Sequence, residues 1–411
     1  MNLEYFIAQR LISTKNYKSS ISSPIIKIAI SAIAIGMIMM IVSVATGLGL
    51  QYKIREKLAA FSGHIIIANY DHNQSKVSTK PILLNQNFYP KFKNLTGIKH
   101  VQAVASKAGI IRTATEFEGI ILKGVGQDYD WNNLKEYVVQ GKLPDFKNEL
   151  NNEILISKFL ADRLSLKVNS VFNTFFMKDT GNRLPNLRRF KIVGIYNSGF
   201  QEFDAQYIIA DIRHIQKMNR WQPNQIGSFE VFIDDFNDIA IKGTEVYKLT
   251  NSALDTKTII EKFPIIFEWL QLFDFNIITI LLIMIIVATI NMVVALLVLI
   301  LERTQLIGVL KSLGANNWSI RKIFLYNAFY LIIRGLFVGN FVGIGLILIQ
   351  KYFEIIKLPP ENYYVNVAPV YLNWSYILFL NLGTMAVCLL VLLIPSYIIT
   401  KISPIRAIKF N

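Results

Sequence analysis

Charge-free apolar stretches occur once near the start of the chain and then not again until Phe275. Ile28 to Leu50 carries no charged residue, and neither does Phe275 to Leu301. Ile323 to Ile349 includes only Arg334, and the uncharged stretch Asn362 to Thr400 contains a fourth apolar segment, Tyr376 to Ile399. Each is long enough to cross a hydrocarbon core of about 30 Å at about 1.5 Å per residue. The pattern predicts an α-helical membrane protein with four transmembrane helices in a one-plus-three layout. A large extracytoplasmic α+β domain is inserted between the first and second spans. The expected boundaries are a cytoplasmic amphipathic segment 1–24, spans at 25–50, 273–301, 323–350 and 375–400, and the outer domain at 51–272. A cytoplasmic loop then falls at 302–322, an outer loop at 351–374 and a cytoplasmic tail at 401–411.

Inside 51–272 the pattern changes to short β-branched runs separated by Gly and Asn. Strands are expected at His64–Ala68, Val101–Ser106, Gly109–Thr113, Gly119–Val125, Glu153–Ser157, Phe190–Tyr196, Tyr207–Ala210 and Phe229–Ile233. Helices are expected at Asn87–Leu95 and Asp238–Leu249, and Thr258–Phe273 leads as a helix into the second span. The early and late strand–helix–strand patterns pair into one subdomain. Residues 115–226 form a β-rich outer insertion.

Charge orients the path. Arg10, Lys15, Lys18 and Lys27 precede the first span, and Arg303, Lys311, Arg321 and Lys322 join the second to the third. Lys401, Arg406 and Lys409 follow the fourth. The positive-inside rule puts both termini and the 302–322 loop in the cytoplasm and the large domain outside. The net charge is +15, and most of the excess lies outside residues 50–272. That favours anionic membrane lipid as partner. No basic patch interleaved with aromatics marks the polar domain, so nucleic acid is not an expected partner. Leu3, Phe6, Ile7 and Leu11 share a helical face, which reads as a short helix on the inner membrane surface.

Catalytic chemistry is not legible. Cys388 is the one cysteine and lies in the fourth apolar segment. His64, His72, His100 and His214 are scattered without metal-ligand spacing. There is no nucleophile elbow and no phosphate-binding G-x-x-x-x-G-K-[ST] loop. No catalytic, cofactor or metal residue is therefore expected, and any ATP the work requires must be hydrolysed by another subunit.

Three features invite a function. Leu306, Val309, Leu310 and Leu313 recur at i, i+3, i+4, i+7 and form one apolar stripe on a short helix that Gly314 can end. Such a helix can dock in a protein groove or lie on lipid. Gly335, Gly339 and Gly343 give one smooth helix face for close packing against another span, in this chain or in a second one. Between two strand-like runs, Asp179–Arg189 combines the turn formers Gly181, Asn182 and Pro185 with Arg183, Arg188 and Arg189. It reads either as a protruding hairpin or as a solvated loop.

These residues together resemble a known family. Tyr5 to Arg10, Ile30 to Gly36, and Thr46-Gly47 are similar to the opening of the lipoprotein-releasing permeases, the LolC/LolE family, whose pattern is FIAxRYL, ISxxGIxxG and NGF. Thr46-Gly47-Leu48 departs from the last element. Glu302-Arg303 followed by Ile307-Gly-Val-Leu-Lys-Ser-Leu-Gly-Ala315 resembles the signature of the wider FtsX-like, MacB-type permease superfamily. Pro404 to Ala407 resembles its ending. Gly181 to Pro185, Phe190 to Gly194 and Glu202 to Asp204 are similar to the outer domain of the releasing permeases.

The resemblance implies the permease subunit of an ATP-driven ABC complex that extracts lipoproteins from the outer leaflet of the bacterial inner membrane by mechanotransmission. It implies a cytoplasmic ABC ATPase dimer holding ATP and Mg, a second permease subunit and a periplasmic lipoprotein carrier as partners, with lipoprotein as cargo. Leu306, Val309, Leu310, Lys311, Leu313 and Gly314 would form the ATPase-coupling helix. Arg183, Leu184, Pro185, Asn186 and Leu187 would form the carrier-binding hook. Val42, Leu48, Leu50, Trp269, Leu272 and Phe273 are the expected lining of a substrate cavity, from their place at the outer-leaflet level. Three rival readings remain: a drug or peptide efflux permease of the macrolide-exporter type, an FtsX-like signal to cell-wall hydrolases, and a receptor-like adaptor without transport.

Overall fold

Each of the four apolar segments forms a long helix. A computed structural model describes residues 3–13, 22–72, 75–113, 115–147, 149–177 and 185–403. Among these, four helices are long and apolar enough to cross a membrane: Pro24–Ser62, Pro264–Glu302, Asn317–Phe353 and Trp374–Lys401. The chain divides into two compact units. One comprises 1–51, 269–357 and 367–411, and the other comprises 52–268 and 358–366.

The first unit is helical. Its core joins Ile33, Met37 and Ile41 of the first span to Met292 and Leu296 of the second, Phe324 and Leu331 of the third, and Cys388 and Leu392 of the fourth. Lipid cannot satisfy backbone polar groups, so spanning segments close their hydrogen bonds internally as helices. The fourth span carries Pro395, and its regular helix ends at Ser396 before a short turn, Ile398–Lys401. The missing N–H of a proline interrupts the ladder there. The N-terminal helix, Leu3–Ser13, packs along the third span: Tyr5 meets Tyr326 edge-on at 5.9 Å, and Lys322 Nζ lies 3.9 Å from Glu4. Among its described side chains the most buried is Ala8, which lies off the apolar face expected from Phe6 and Ile7.

Among the described residues the second unit holds twelve strands: β1 (Ile65–Asn69), β2 (Ile82–Leu83), β3 (Ile98–Arg112), β4 (Phe117–Val125), β5 (Val138–Gly141), β6 (Glu153–Ser157), β7 (Val171–Phe176), β8 (Asn186–Tyr196), β9 (Tyr207–Asp211), β10 (Gln225–Ile226), β11 (Ser228–Ile233) and β12 (Leu254–Thr258). The main sheet runs β12-β1-β11-β3-β4-β9-β6-β8-β5. β7 pairs with both β3 and β8, so the path β3-β4-β9-β6-β8-β7 returns to β3 as a closed ring. Closure removes exposed strand edges. The segment expected as an outer insertion thus builds most of this ring, while β12, β1, β11 and the first half of β3 make an antiparallel sheet. The long strand β3 belongs to both.

Several expectations are corrected. The two runs either side of Lys107-Ala108 are one fifteen-residue strand, β3. Gly109 does not break it; a Cβ there would lie 2.6 Å from the Phe176 ring, so the glycine makes room for a core side chain. Asn87–Leu95 is not helical. Pro90 interrupts it, and Phe88 stacks on Phe92 at 5.2 Å while meeting Phe229 at 5.2 Å. Burial of two aromatics outweighs local helix preference. The first unit's opening stretch ends at Gln51, next to the expected limit of the first span at Leu50, and the helix itself, Ser22–Ser62, continues past it. That helix stops at Gly63, whose φ of +70° is in the glycine region and whose Cβ would lie 2.9 Å from that of Glu230. Thr258 caps a single turn, Ile259–Lys262, through a reciprocal capping box with Glu261. The chain then restarts at Pro264, so the expected helix 258–273 is broken at Phe263. The expected outer loop 351–374 also divides, because residues 358–366 fold with the second unit.

Candidate functional site

The short helix after the second span is Thr304–Ser312. Thr304 Oγ1 donates back to Leu301 O at 2.6 Å, and Gly314, at φ +86°, turns the chain so that the Ala315 amide donates to Leu310 O at 2.9 Å. Asn316 then caps the third span by accepting from the Trp318 amide at 2.7 Å. The expected stripe splits in two. Ile307 and Gly308 are buried, and Leu310 and Ala315 pack partly against the helical core. Leu306 is half-buried. Val309 is 41% exposed and Leu313 78% exposed, one turn apart, and they form the free apolar ridge. Lys311 is not on that ridge: its ammonium binds Ile399 O at 2.8 Å, Thr400 O at 3.3 Å and Ile402 O at 2.8 Å. It gathers carbonyls at and just past the end of the fourth span, where the helix runs out of backbone donors.

The glycine row faces the first span of the same chain. A Cβ on Gly335 would lie 2.8 Å from Ile33 Cβ, one on Gly339 2.7 Å from Met37 Cβ, and one on Gly343 3.2 Å from Ile41 Cδ1. The two rows step together at four-residue spacing, so the helices run in contact over at least two turns. This contact is intrachain, which the spacing alone left open.

In the second unit β7 and β8 form a hairpin. Of the expected hook, Arg183 and Leu184 lie outside the described residues. Pro185 precedes β8, and Asn186 and Leu187 open it. Register places Gly119, Ile110, Phe175 and Leu187 in one row across β4, β3, β7 and β8. Phe117, Arg112, Asn173 and Arg189 form the next row on that face. Phe117 is 74% exposed and Leu187 51%, with Arg112 and Arg189 exposed beside them. An apolar face with basic residues is therefore open at the base of the hairpin. Alternation is the local cause: Phe172, Thr174 and Phe176 turn inward and leave Asn173 and Phe175 on the outer side.

The residues expected to line a substrate cavity differ in burial. Leu50 is buried, Val42 and Leu48 are half-buried, and Leu272 is exposed. Trp269 and Phe273 meet edge-on at 4.8 Å. Near them Gln51 donates to Asp274 Oδ1 at 2.8 Å and joins the first and second spans. A narrow apolar crevice lies instead between the first and fourth spans, lined by Ile41, Val44, Ala45, Tyr376, Ile377 and Leu380.

One constellation went unread in the sequence. Lys123 and Glu230, both nearly fully buried, pair at 2.6 Å. Lys123 Nζ also donates to Phe61 O at 2.7 Å, and Gln102 Nε2 donates to Glu230 Oε2 at 2.8 Å. The network ties β4, β11 and β3 to the carbonyl end of the first helix. Its signal was a lone charge inside each apolar strand, Ile121–Val125 and Phe229–Ile233. Nearby, burial raises the carboxyl of Asp204 above the ordinary range, and amide donors from Ser198 and Gly199 oppose the rise.

The FtsX-like permease C-terminal family matches residues 278–404, and the MacB-like periplasmic core domain matches residues 28–244. The chain belongs to the FtsX-like permeases with a MacB-like periplasmic core domain. Its similarity to the lipoprotein-releasing system runs end to end. It is 22% identical to the lipoprotein-releasing system transmembrane protein LolE of Haemophilus influenzae over 100% of both chains. It is 22% identical to LolC of Buchnera aphidicola over 96% of this chain and 95% of that one, and 21% identical to LolC of Neisseria meningitidis over 100% of both. The expected resemblance to the LolC/LolE family is borne out, as is the plan of four spans with a MacB-like domain after the first.

Proposed function

We propose that this chain is the permease subunit of an ATP-driven complex that lifts lipoproteins from the outer leaflet of the bacterial inner membrane and passes them to a soluble periplasmic carrier. End-to-end similarity to LolE and LolC carries this reading. Both termini face the cytoplasm, in keeping with the basic residues that flank the spans there. The Val309–Leu313 ridge docks in a groove of a separate ATPase, which binds the ATP and Mg. A second permease, the same or a homologous chain, completes the path. The face of Ile110, Phe117 and Leu187, flanked by Arg112 and Arg189, receives an apolar carrier with acidic groups at its rim.

The energetics favour a powered device. Removing acyl chains from lipid exposes CH₂ groups at about 0.8 kcal/mol each. Binding alone at an exposed face does not supply that repeatedly, whereas coupled hydrolysis and an accepting carrier do.

Depletion of this protein in cells, followed by membrane fractionation, tests the reading. Lipoproteins should accumulate in the inner membrane. If they still reach the outer membrane while drug sensitivity changes, the chain is an efflux permease. If cell-wall cleavage changes instead, it is a signalling permease.

A further inference from the structure

The segment between the third and fourth spans is held at both of its ends. At its base, Gln350 Nε2 donates to Ile356 O at 3.2 Å and Ala368 O at 3.1 Å, and its Oε1 accepts from the Ile356 amide at 2.9 Å. The Tyr371 amide donates to Ala45 O of the first span at 2.9 Å. Gly49 lies so close that a Cβ on it would sit 2.5 Å from Pro369 O. The base is therefore fixed to two membrane helices.

The tip, Leu358–Asn366, folds with the second unit. Lys57, 6% exposed, donates to Ser198 O at 2.6 Å and Tyr364 O at 3.0 Å. Phe200 stacks on Tyr364 at 4.6 Å and 17°. Val365 is buried. Tyr364 has φ +58°, a left-handed conformation that a bulky residue holds only where its surroundings demand it. Asp204 accepts from the Ser198 amide at 3.1 Å, the Ser198 hydroxyl at 2.8 Å and the Gly199 amide at 2.9 Å, and so aims the Ser198 carbonyl at Lys57. One ammonium thus joins three segments far apart in sequence: the end of the first helix, the 198–204 turn and the 358–366 loop.

We propose that the Leu358–Asn366 loop is a lever that carries movement of the third and fourth spans into the outer domain, with Lys57 as the positioning residue that latches its tip. The proposal rests on the ATP-driven reading above, and it adds a point of transmission separate from the docking ridge and the outer sheet face. A loop tethered only at its base would absorb helix movement. A loop whose tip is hydrogen-bonded at Tyr364, stacked on Phe200 and anchored by the buried Val365 passes it on.

Hydrogen–deuterium exchange on the full complex with its ATPase subunit in lipid bilayers tests the lever, using Lys57→Met, which keeps the aliphatic stem, and Tyr364→Gly, which keeps the backbone conformation and removes the stack. Both variants should assemble with the ATPase and hydrolyse ATP as the wild type does. Amides of 358–366 should exchange about tenfold faster, as a released local opening unit does. The ATP-dependent change in exchange at residues 196–204 should be present in the wild type and lost in both variants. Unchanged loop exchange in both variants overturns the latch. An ATP-dependent change at 196–204 that persists in both, or that is absent from the wild type, overturns the lever. If the wild type shows the change yet releases no lipoprotein, the lever stands and the cargo assignment fails.

Discussion

Asn340 and Asn381 face each other across the third and fourth spans, and each amide donates to the other's oxygen, at 2.7 and 3.0 Å. Each also donates to a carbonyl one turn back, Leu336 O at 2.7 Å and Ile377 O at 2.8 Å. Both polar heads are thereby satisfied within an apolar bundle, and the pair sets the register of the two helices.

Replacing one member, Asn381→Leu, leaves the other amide short of partners and should lower stability by about 1 kcal/mol. The double variant with Asn340→Leu should recover part of that loss. Thermal melting of the four chains of this cycle in detergent measures the coupling; strictly additive losses would mean that the pair does not act as a unit.

Adding a methyl group to the glycine row should be costly only where the first span is close. Gly339→Ala places a Cβ 2.7 Å from Met37 Cβ and 2.9 Å from Ala34 O, and should cost about 1–3 kcal/mol by overpacking. Gly345→Ala and Gly383→Ala meet nothing within 4 Å and should melt with the wild type. Equal losses at all three sites would contradict the packing.

The Thr304–Ser312 helix lets the proposed docking be separated from folding. Leu313→Asp puts a charge on a side chain that is 78% exposed, and should abolish ATPase capture with little change in melting temperature. Leu310→Asp puts the charge on a half-buried side chain packed against the helical core and should lower the melting temperature clearly. Pull-down and melting on the same preparations distinguish the two. Retained capture by Leu313→Asp would remove the ridge from the docking surface.

His64 gives the outer domain a sensitivity to acid. Burial first, and then the Lys99 charge, lower its pKa from 6.5 to about 4, and its Nδ1 accepts from the Ile233 amide at 3.3 Å, a bond that needs the neutral ring. Below pH 6.5 the unfolded chain takes up a proton that the folded one refuses, so this contribution to stability falls as pH drops from 6.5 towards 4. His64→Asn keeps an acceptor without the titration and should flatten that part of the melting profile relative to wild type. Parallel profiles would show that other groups set it.

Long uncharged runs, the strands β1, β4, β6, β9 and β11 with most of β8, and a glycine-ended helix after Glu302 could be read directly along the chain, because each depends on local periodicity and on one residue's preference for a turn. The superfamily signature at 307–315 could be read for the same reason. What could not be read was anything that depends on a partner distant in sequence. Leu306, Val309, Leu310 and Leu313 share a stripe by period, yet only the packed core decides that Leu310 turns inward and Leu313 stays out. Lys311 looks like a surface cation until the end of the fourth span offers it three carbonyls. Gly335, Gly339 and Gly343 announce a close neighbour without naming it, and Ile33, Met37 and Ile41 are that neighbour only in three dimensions. The linear order of residues determined the four spans, the inserted domain and the family. Tertiary structure decided which charges are buried and paired, which apolar side chains remain free, and that the 358–366 loop folds with the inserted domain. The physical reason is range: helix and strand preferences act over a few residues, whereas desolvation of Lys57, Lys123 and Glu230 is tolerated only because chain segments far apart in sequence supply their partners.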